Sequence, residues 1–159
     1  MRVRLVLVLL VVAALAIAGW FMLGSPSGAA IAANKEPALV TRIVDGDTIV
    51  VEGGQKVRLL GMDTDERGEP CYTEAKNVLA GLILNKEVQL ERDGEDKDMY
   101  GRLLRWIWLD NKLINEELVR LGLAAARFEQ PVHYQERIVA AEKAAIDGKL
   151  GCKWANLTR

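Results

Sequence analysis

The chain has 159 residues, with 21 Lys and Arg against 22 Asp and Glu and a single histidine, for a formal net charge of −1. That length carries one ordinary domain. The near-neutral balance excludes a module that binds nucleic acid through bulk charge, and one histidine excludes a multi-histidine metal centre. Two cysteines cannot make a zinc site alone but can make one disulfide.

Residues 1–33 read as an address. Arg2 and Arg4 form a short positive n-region, and residues 5–23 follow with no charge. Then come Gly24-Ser-Pro-Ser-Gly and Ala30-Ile31-Ala32, which fits an A-x-A cleavage site. Two readings stay open: a cleaved signal peptide, or an uncleaved membrane anchor, because the apolar stretch also falls in the spanning range of about 17–25 residues. In both, the positive-inside rule leaves the remainder outside the cytoplasm. The protein is therefore expected to be secreted, or tethered to the membrane through residues 5–23. Without residues 1–32 the chain keeps 19 basic and 22 acidic residues in 127, large enough to bury a core.

The exported part, residues 34–159, reads as one domain. Residues 34–37 are a short linker, and residues 38–44 (ALVTRIV) are a β-branched strand. Asp45-Gly46 marks a turn into a second strand over 48–52. Gly53-Gly54 turns into a third over 56–61. Residues 62–72, with Gly68 and Pro70, form a loop. Residues 73–84 carry apolar side chains at Ala75, Val78, Leu79, Leu82 and Ile83, the stripe of a helix. A fourth strand covers 87–91, an acidic loop 93–98 and a fifth strand 102–109. Helices follow over 115–121, ended by Gly122, and over 134–146, closed by Gly148. The order predicts a mainly β, α+β domain: a five-stranded Greek-key barrel with three α-helices, of the OB-fold kind.

Three clusters carry chemistry: Val44-Asp-Gly-Asp-Thr48, Val57-Arg-Leu-Leu-Gly-Met-Asp-Thr-Asp-Glu66 and Asp98-Met-Tyr-Gly-Arg102. Each joins a charged residue to a strand end or turn. Asp47, Asp63, Asp65 and Glu66 are carboxylates in or beside tight turns, and a hard cation such as calcium takes several oxygen ligands. Taken alone, the first cluster reads equally as a hairpin turn and the rest as a solvated loop. Arg58 sits in an apolar strand. Facing inward, it needs an anionic partner; the same alternation also allows it to face outward.

Taken together, these clusters resemble the staphylococcal nuclease (thermonuclease) family, over roughly residues 40–150. The order and spacing of DGDT, R-L-L-x-x-D-T-x-E and Y-G-R match. So does Val119-Arg-Leu-Gly-Leu-Ala124, preceded by Asn115-Glu116, which is similar to the family's second helix. The resemblance implies an OB-fold and calcium-dependent hydrolysis of DNA and RNA; a monomer is expected. It implies that Asp47 and Asp63 are calcium carboxylates, that Thr64 offers its backbone carbonyl, and that Glu66 is the proposed general base. Arg58 and Arg102 match the two phosphate-binding arginines, and Tyr100 an aromatic lining the nucleotide site. Asp45 belongs to the motif without a ligand role. The chemistry agrees: a metal and two guanidinium forks offset charge building at phosphorus, and a carboxylate nearby orients or deprotonates water.

Three departures stand out. The family commonly has Pro where this chain has Asp65, which opens three readings: another metal ligand, a raised Glu66 pKa, or a looser loop. Stacking tyrosines have no clear match near Arg127-Phe128-Glu129-Gln130, where Phe128 is the available substitute. The domain is also acidic. Elsewhere, His133 reads as a surface or capping residue. Residues 93–98 lack the Gly and Glu of an EF-hand at Asp98 and Leu104. Leu113, Ile114, Leu118, Val119, Leu121, Ile138, Ala141 and Ala145 read as core; Trp106, Trp108 and Trp154 read as core or rim. Cys71 and Cys152 flank the first and last helices. An exported location permits them to pair, the alternative being two unrelated core residues. A non-catalytic OB-fold binding module is the competing function, and the presence of Arg58, Glu66 and Arg102 weighs against it.

Overall fold

The computed structural model describes residues 34–155, so the apolar stretch 5–23 and the cleavage motif lie outside the described residues. Among those described, no helix is long and apolar enough to cross a membrane.

Alternation and β-branching build the sheet. Strands β1 (Lys35–Ile43), β2 (Thr48–Val51) and β3 (Lys56–Leu59) form an antiparallel meander. β4 (Met62–Thr64) follows, then helix α1 (Tyr72–Ile83), the long β5 (Glu87–Lys97) and β6 (Leu103–Leu109). A two-residue β7 (Lys112–Leu113) leads into α2 (Ile114–Arg120). β8 (Ala124–Ala126), α3 (Gln135–Asp147) and a single turn α4 (Gly151–Trp154) complete the order. The sheet runs β3-β2-β1-β5-β6-β7, and a parallel β3–β6 pairing closes β1, β2, β3, β5 and β6 into a five-stranded barrel. The expected barrel and its three helices are present.

The differences lie where pairing is long-range. The expected linker at 34–37 is mostly strand, because Lys35–Leu39 pair with Glu87–Glu91 of β5. The expected loop at 62–72 opens with β4, which pairs with β8; neither strand has a local partner. The acidic segment 93–98 extends β5 to Lys97, with a register shift between Arg92 and Lys97 that bends the strand.

The core fills the barrel and the space under the helices. Trp106, Ile49, Leu59, Ile107 and Val40 are fully buried. From α1, Ala75, Leu79 and Ile83 are buried, as the stripe requires. A Leu79→Ala change costs about 2–5 kcal/mol by cavity formation. Ile114, Leu118, Val119, Ile138, Ala141 and Ala145 join the core from α2 and α3, whereas Leu121 is only partly buried. Asn115 ties α2 to the barrel: its Oδ1 accepts from the Ile107 N–H at 2.8 Å and its Nδ2 donates to the Leu60 carbonyl at 2.9 Å. Buried Glu91 accepts from Trp108 Nε1 and the Tyr134 hydroxyl. Burial first, then this carboxylate, pushes Tyr134 up to about 12. Asp93 accepts from Trp106 Nε1 and the His133 N–H. These bonds pin the start of α3 and the segment leading into it. His133 itself is exposed, as expected of a surface residue.

Candidate active site

Barrel closure brings the three sequence clusters together. A cleft of about 810 Å³ is lined by Asp47, Arg58, Asp63, Glu66, Tyr100 and Arg102, and also by Asp45, Glu95, Asp98, Arg127 and Glu129.

Asp47 stands in the turn between β1 and β2. Its own N–H donates to the Asp45 carboxylate at 3.2 Å. Gly46 is required there: a Cβ would sit 2.8 Å from both the Thr64 side chain and the Ala75 Cβ. The Asp47 carboxylate is buried. It accepts from the Thr48 hydroxyl at 3.0 Å, and from the Thr64 N–H and hydroxyl at 3.1 and 3.0 Å. It also pairs with Arg58. Burial pushes its carboxyl up, but Arg58 and the Thr64 donors outweigh that and hold it below the usual range. Asp45 goes the other way: burial and the neighbouring Asp47 charge raise it.

Arg58 lies in β3 between buried Val57 and Leu59, and its guanidinium faces the cleft. It joins Asp47 to Asp63, the latter at 2.7 Å. Alternating with core-facing Val57 and Leu59, it points away from the barrel core, and the cleft supplies its anionic partners. Thr64 is not among the residues lining the cleft. Its N–H and hydroxyl are the donors that fix Asp47 from behind.

Arg102 precedes β6. Its Nε donates to Asp98 at 2.6 Å and its Nη1 to the Thr48 hydroxyl at 3.4 Å. Asp98 also accepts from the Tyr100 and Arg102 N–H groups. Burial raises Asp98, but these donors outweigh it and lower it. Thr48 thus links Asp47 to Arg102. Tyr100 is 76% exposed at the rim, with the Arg102 guanidinium 5.5 Å from its ring centroid. Glu66 is exposed and also lines the cleft.

Sequence reading gave no role to Asp98, which lay inside its third cluster, or to Arg127, whose guanidinium is 3.1 Å from Asp63. A carboxylate four residues before an arginine across a glycine turn was a usable signal for the first. Nothing local marked the second. Asp65 does not line the cleft: its carboxylate accepts from Lys153 and the Cys71 N–H. This is incompatible with the reading of Asp65 as a further ligand in the cleft. Cys71 and Cys152 are bonded, with Cα atoms 5.4 Å apart.

Asp47 and Asp63 are oxygen donors on one wall, which fits a hard cation completed by water and phosphate. Among the described residues no three His, Cys, Asp or Glu side chains converge as a ready metal cage. The two carboxylates are instead bridged by Arg58.

The family described as staphylococcal nuclease homologue matches residues 56–156. The chain belongs to the staphylococcal nuclease family. Among members of that family it is similar to a thermonuclease of Staphylococcus hyicus, 39% identical over 134 residues, 78% of this chain and 79% of that protein. It is 40% identical to a thermonuclease of Staphylococcus intermedius over 120 residues, 69% of this chain and 71% of that protein. It is 36% identical to endonuclease YncB of Bacillus subtilis, over 69% of this chain and 57% of that protein.

Proposed function

We propose that this chain is a calcium-dependent nuclease that hydrolyses phosphodiester bonds of DNA and RNA outside the cytoplasm as a monomer, secreted or tethered through residues 5–23. That it is a nuclease rests on its family. The ion, the substrates and the location are our reading.

One observation carries it: a single cleft presents the guanidiniums of Arg58 and Arg102 together with the exposed carboxylate of Glu66. A phosphodiester seated there receives charge-assisted hydrogen bonds from both arginines, which strengthen as negative charge builds on its oxygens. Asp98 aims Arg102, and Asp47 with Asp63 aims Arg58. Glu66 accepts a proton from water at the lip of the cleft, or orients that water. Tyr100 forms an aromatic wall for a base or sugar.

The cleft holds seven carboxylates against three guanidiniums, a surface that repels a polyanion. That excess supports a cation on Asp47 and Asp63; Thr64, which does not line the cleft, fixes the Asp47 carboxylate for it. A bound calcium ion there would supply Lewis-acid polarisation of the phosphate.

The test is cleavage of DNA and of RNA with calcium and with chelator. Activity that needs calcium and stops with chelator supports the reading; full activity in chelator removes Asp47 and Asp63 from it. Sequencing the N-terminus of exported material and fractionating membranes decide between secretion and tether.

A further inference from the structure

The loop that carries Glu66 has little to hold it. Residues 66–70 are all exposed, and their contacts are a short turn and the first residue of α1: the Glu66 N–H donates to the Glu69 carboxylate at 2.7 Å, the Glu69 N–H to the Glu66 carbonyl at 3.0 Å and the Tyr72 N–H to the Glu69 carbonyl at 3.3 Å, with the Arg67 guanidinium 5.9 Å from the Tyr72 ring centroid. Order at this lip must come from the base of the loop.

Both ends of that base are fastened to the C-terminal tail. At one end, the Asp65 carboxylate lies 2.5 Å from Lys153 Nζ, with both side chains largely covered. At the other, Cys71 is bonded to Cys152. Asp65 also spans the base itself, accepting the Cys71 N–H at 2.9 Å. The tail is in turn seated on the end of α2. The Lys153 N–H donates to the Gly122 carbonyl at 3.1 Å. A Cβ on Gly122 would lie 2.0 Å from the Leu150 carbonyl oxygen, so the two backbones are in direct contact.

We propose that Lys153 is a positioning residue for Glu66, acting through Asp65. Lys153 is not among the residues lining the cleft. Its ammonium fixes the carboxylate of the residue immediately before Glu66, and its own backbone is fixed to α2. The disulfide holds the far end of the loop, and the ion pair sets the near end, from which Glu66 projects. The proposal rests on the reading of Glu66 as the group that handles the attacking water. A displacement of about 1 Å in such a group can cost about 10²-fold in rate.

The experiment uses the full domain with its disulfide intact. It compares wild type with Lys153→Met, Lys153→Arg, Asp65→Asn, Glu66→Gln and the double variant Lys153→Met/Glu66→Gln. The readouts are kcat and KM on a DNA fragment with calcium, and amide hydrogen exchange of the free protein. For Lys153→Met we expect kcat to fall about 10–100-fold with KM within about threefold. Exchange should accelerate in residues 65–71 while the barrel strands stay protected. Asp65→Asn, which keeps the shape and removes the charge, should repeat this pattern. Lys153→Arg should recover most of kcat. On the Glu66→Gln background, Lys153→Met should cost nothing further, whereas a merely structural role would leave its cost undiminished. Wild-type kcat in Lys153→Met, or a full additional loss on the Glu66→Gln background, overturns the proposal while leaving the nuclease reading intact. Wild-type kcat in Glu66→Gln itself overturns the reading of Glu66 and the proposal with it.

Discussion

Replacing Arg58 by alanine removes one guanidinium from two carboxylates at once, and its effects on rate and on stability separate. Loss of a preorganised charge donor costs about 10²–10³ in rate, so kcat/KM on DNA should fall by that factor. Stripping one partner from a buried ion pair can cost about 3–5 kcal/mol, but neither carboxylate is left bare. Asp47 keeps the Thr64 N–H and the hydroxyls of Thr64 and Thr48, and Asp63 keeps Arg127. The loss should therefore sit nearer the roughly 1.5–3 kcal/mol of one charge-assisted hydrogen bond. In a domain of this size that lowers Tm by about 6–12 °C. A cation on Asp47 and Asp63 shares those carboxylates with Arg58, so calcium should raise the Tm of Arg58→Ala by more than it raises that of wild type. Calorimetry with calcium and with chelator, beside steady-state cleavage, reads all three. Wild-type kcat/KM in folded Arg58→Ala, or equal calcium stabilisation of the two proteins, would refute the reasoning.

Gly46→Ala should lower stability by about 1–3 kcal/mol, the range for forced overpacking, because its new methyl meets Thr64 and Ala75 at 2.8 Å; an unchanged melting curve contradicts the packing described. Reduction of Cys71–Cys152, which closes a sequence separation of 81, should lower Tm, with chain entropy setting an upper limit of about 4.5 kcal/mol; two titratable thiols in oxidised exported material would sink this. Acid should destabilise the fold. Asp47, Asp65 and Asp98 are each raised by burial and then brought below the ordinary 3.8 by their donors. Their contribution is full above that value and is lost as pH falls through the lower folded values, with Asp45 working in the opposite sense. Tm should stay level from about pH 7 to 5 and drop below about 4, with a shallower drop in Asp65→Asn; an identical slope in that variant counts against the Lys153 pairing.

What could be read from the sequence was local. The α1 stripe at Ala75, Leu79 and Ile83 is a matter of helical period, and the Asp45-Gly46 turn and the alternating β5 start are matters of neighbouring residues. Arg58 was half legible: its strand was clear, but its partners Asp47 and Asp63 are brought round by the turns. β4 and β8 were missed because three residues each carry no periodic signal, and their pairing joins Met62 to Ala126. The end of β5 looked like a solvated acidic loop, since composition does not show that Lys97 pairs with Leu103. Asp65 was the clearest failure of local reasoning. Its partner Lys153 lies 88 residues away, so its role followed from the path of the tail.

The parallel seam between β3 and β6 has a kinetic consequence. It sets Arg58 beside Leu104, two residues on from Arg102, although the strands lie more than forty residues apart in the chain. Every other pairing in the barrel is antiparallel, and those between β1, β2 and β3 need only short turns. Closing this seam, like the β1–β5 pairing of Leu39 with Glu87, joins distant residues and belongs to the slow, non-local class of folding events. Until it closes, the two arginines ride on separate halves of an open sheet. A refolding chain therefore acquires much of its sheet before it has a place for a phosphate.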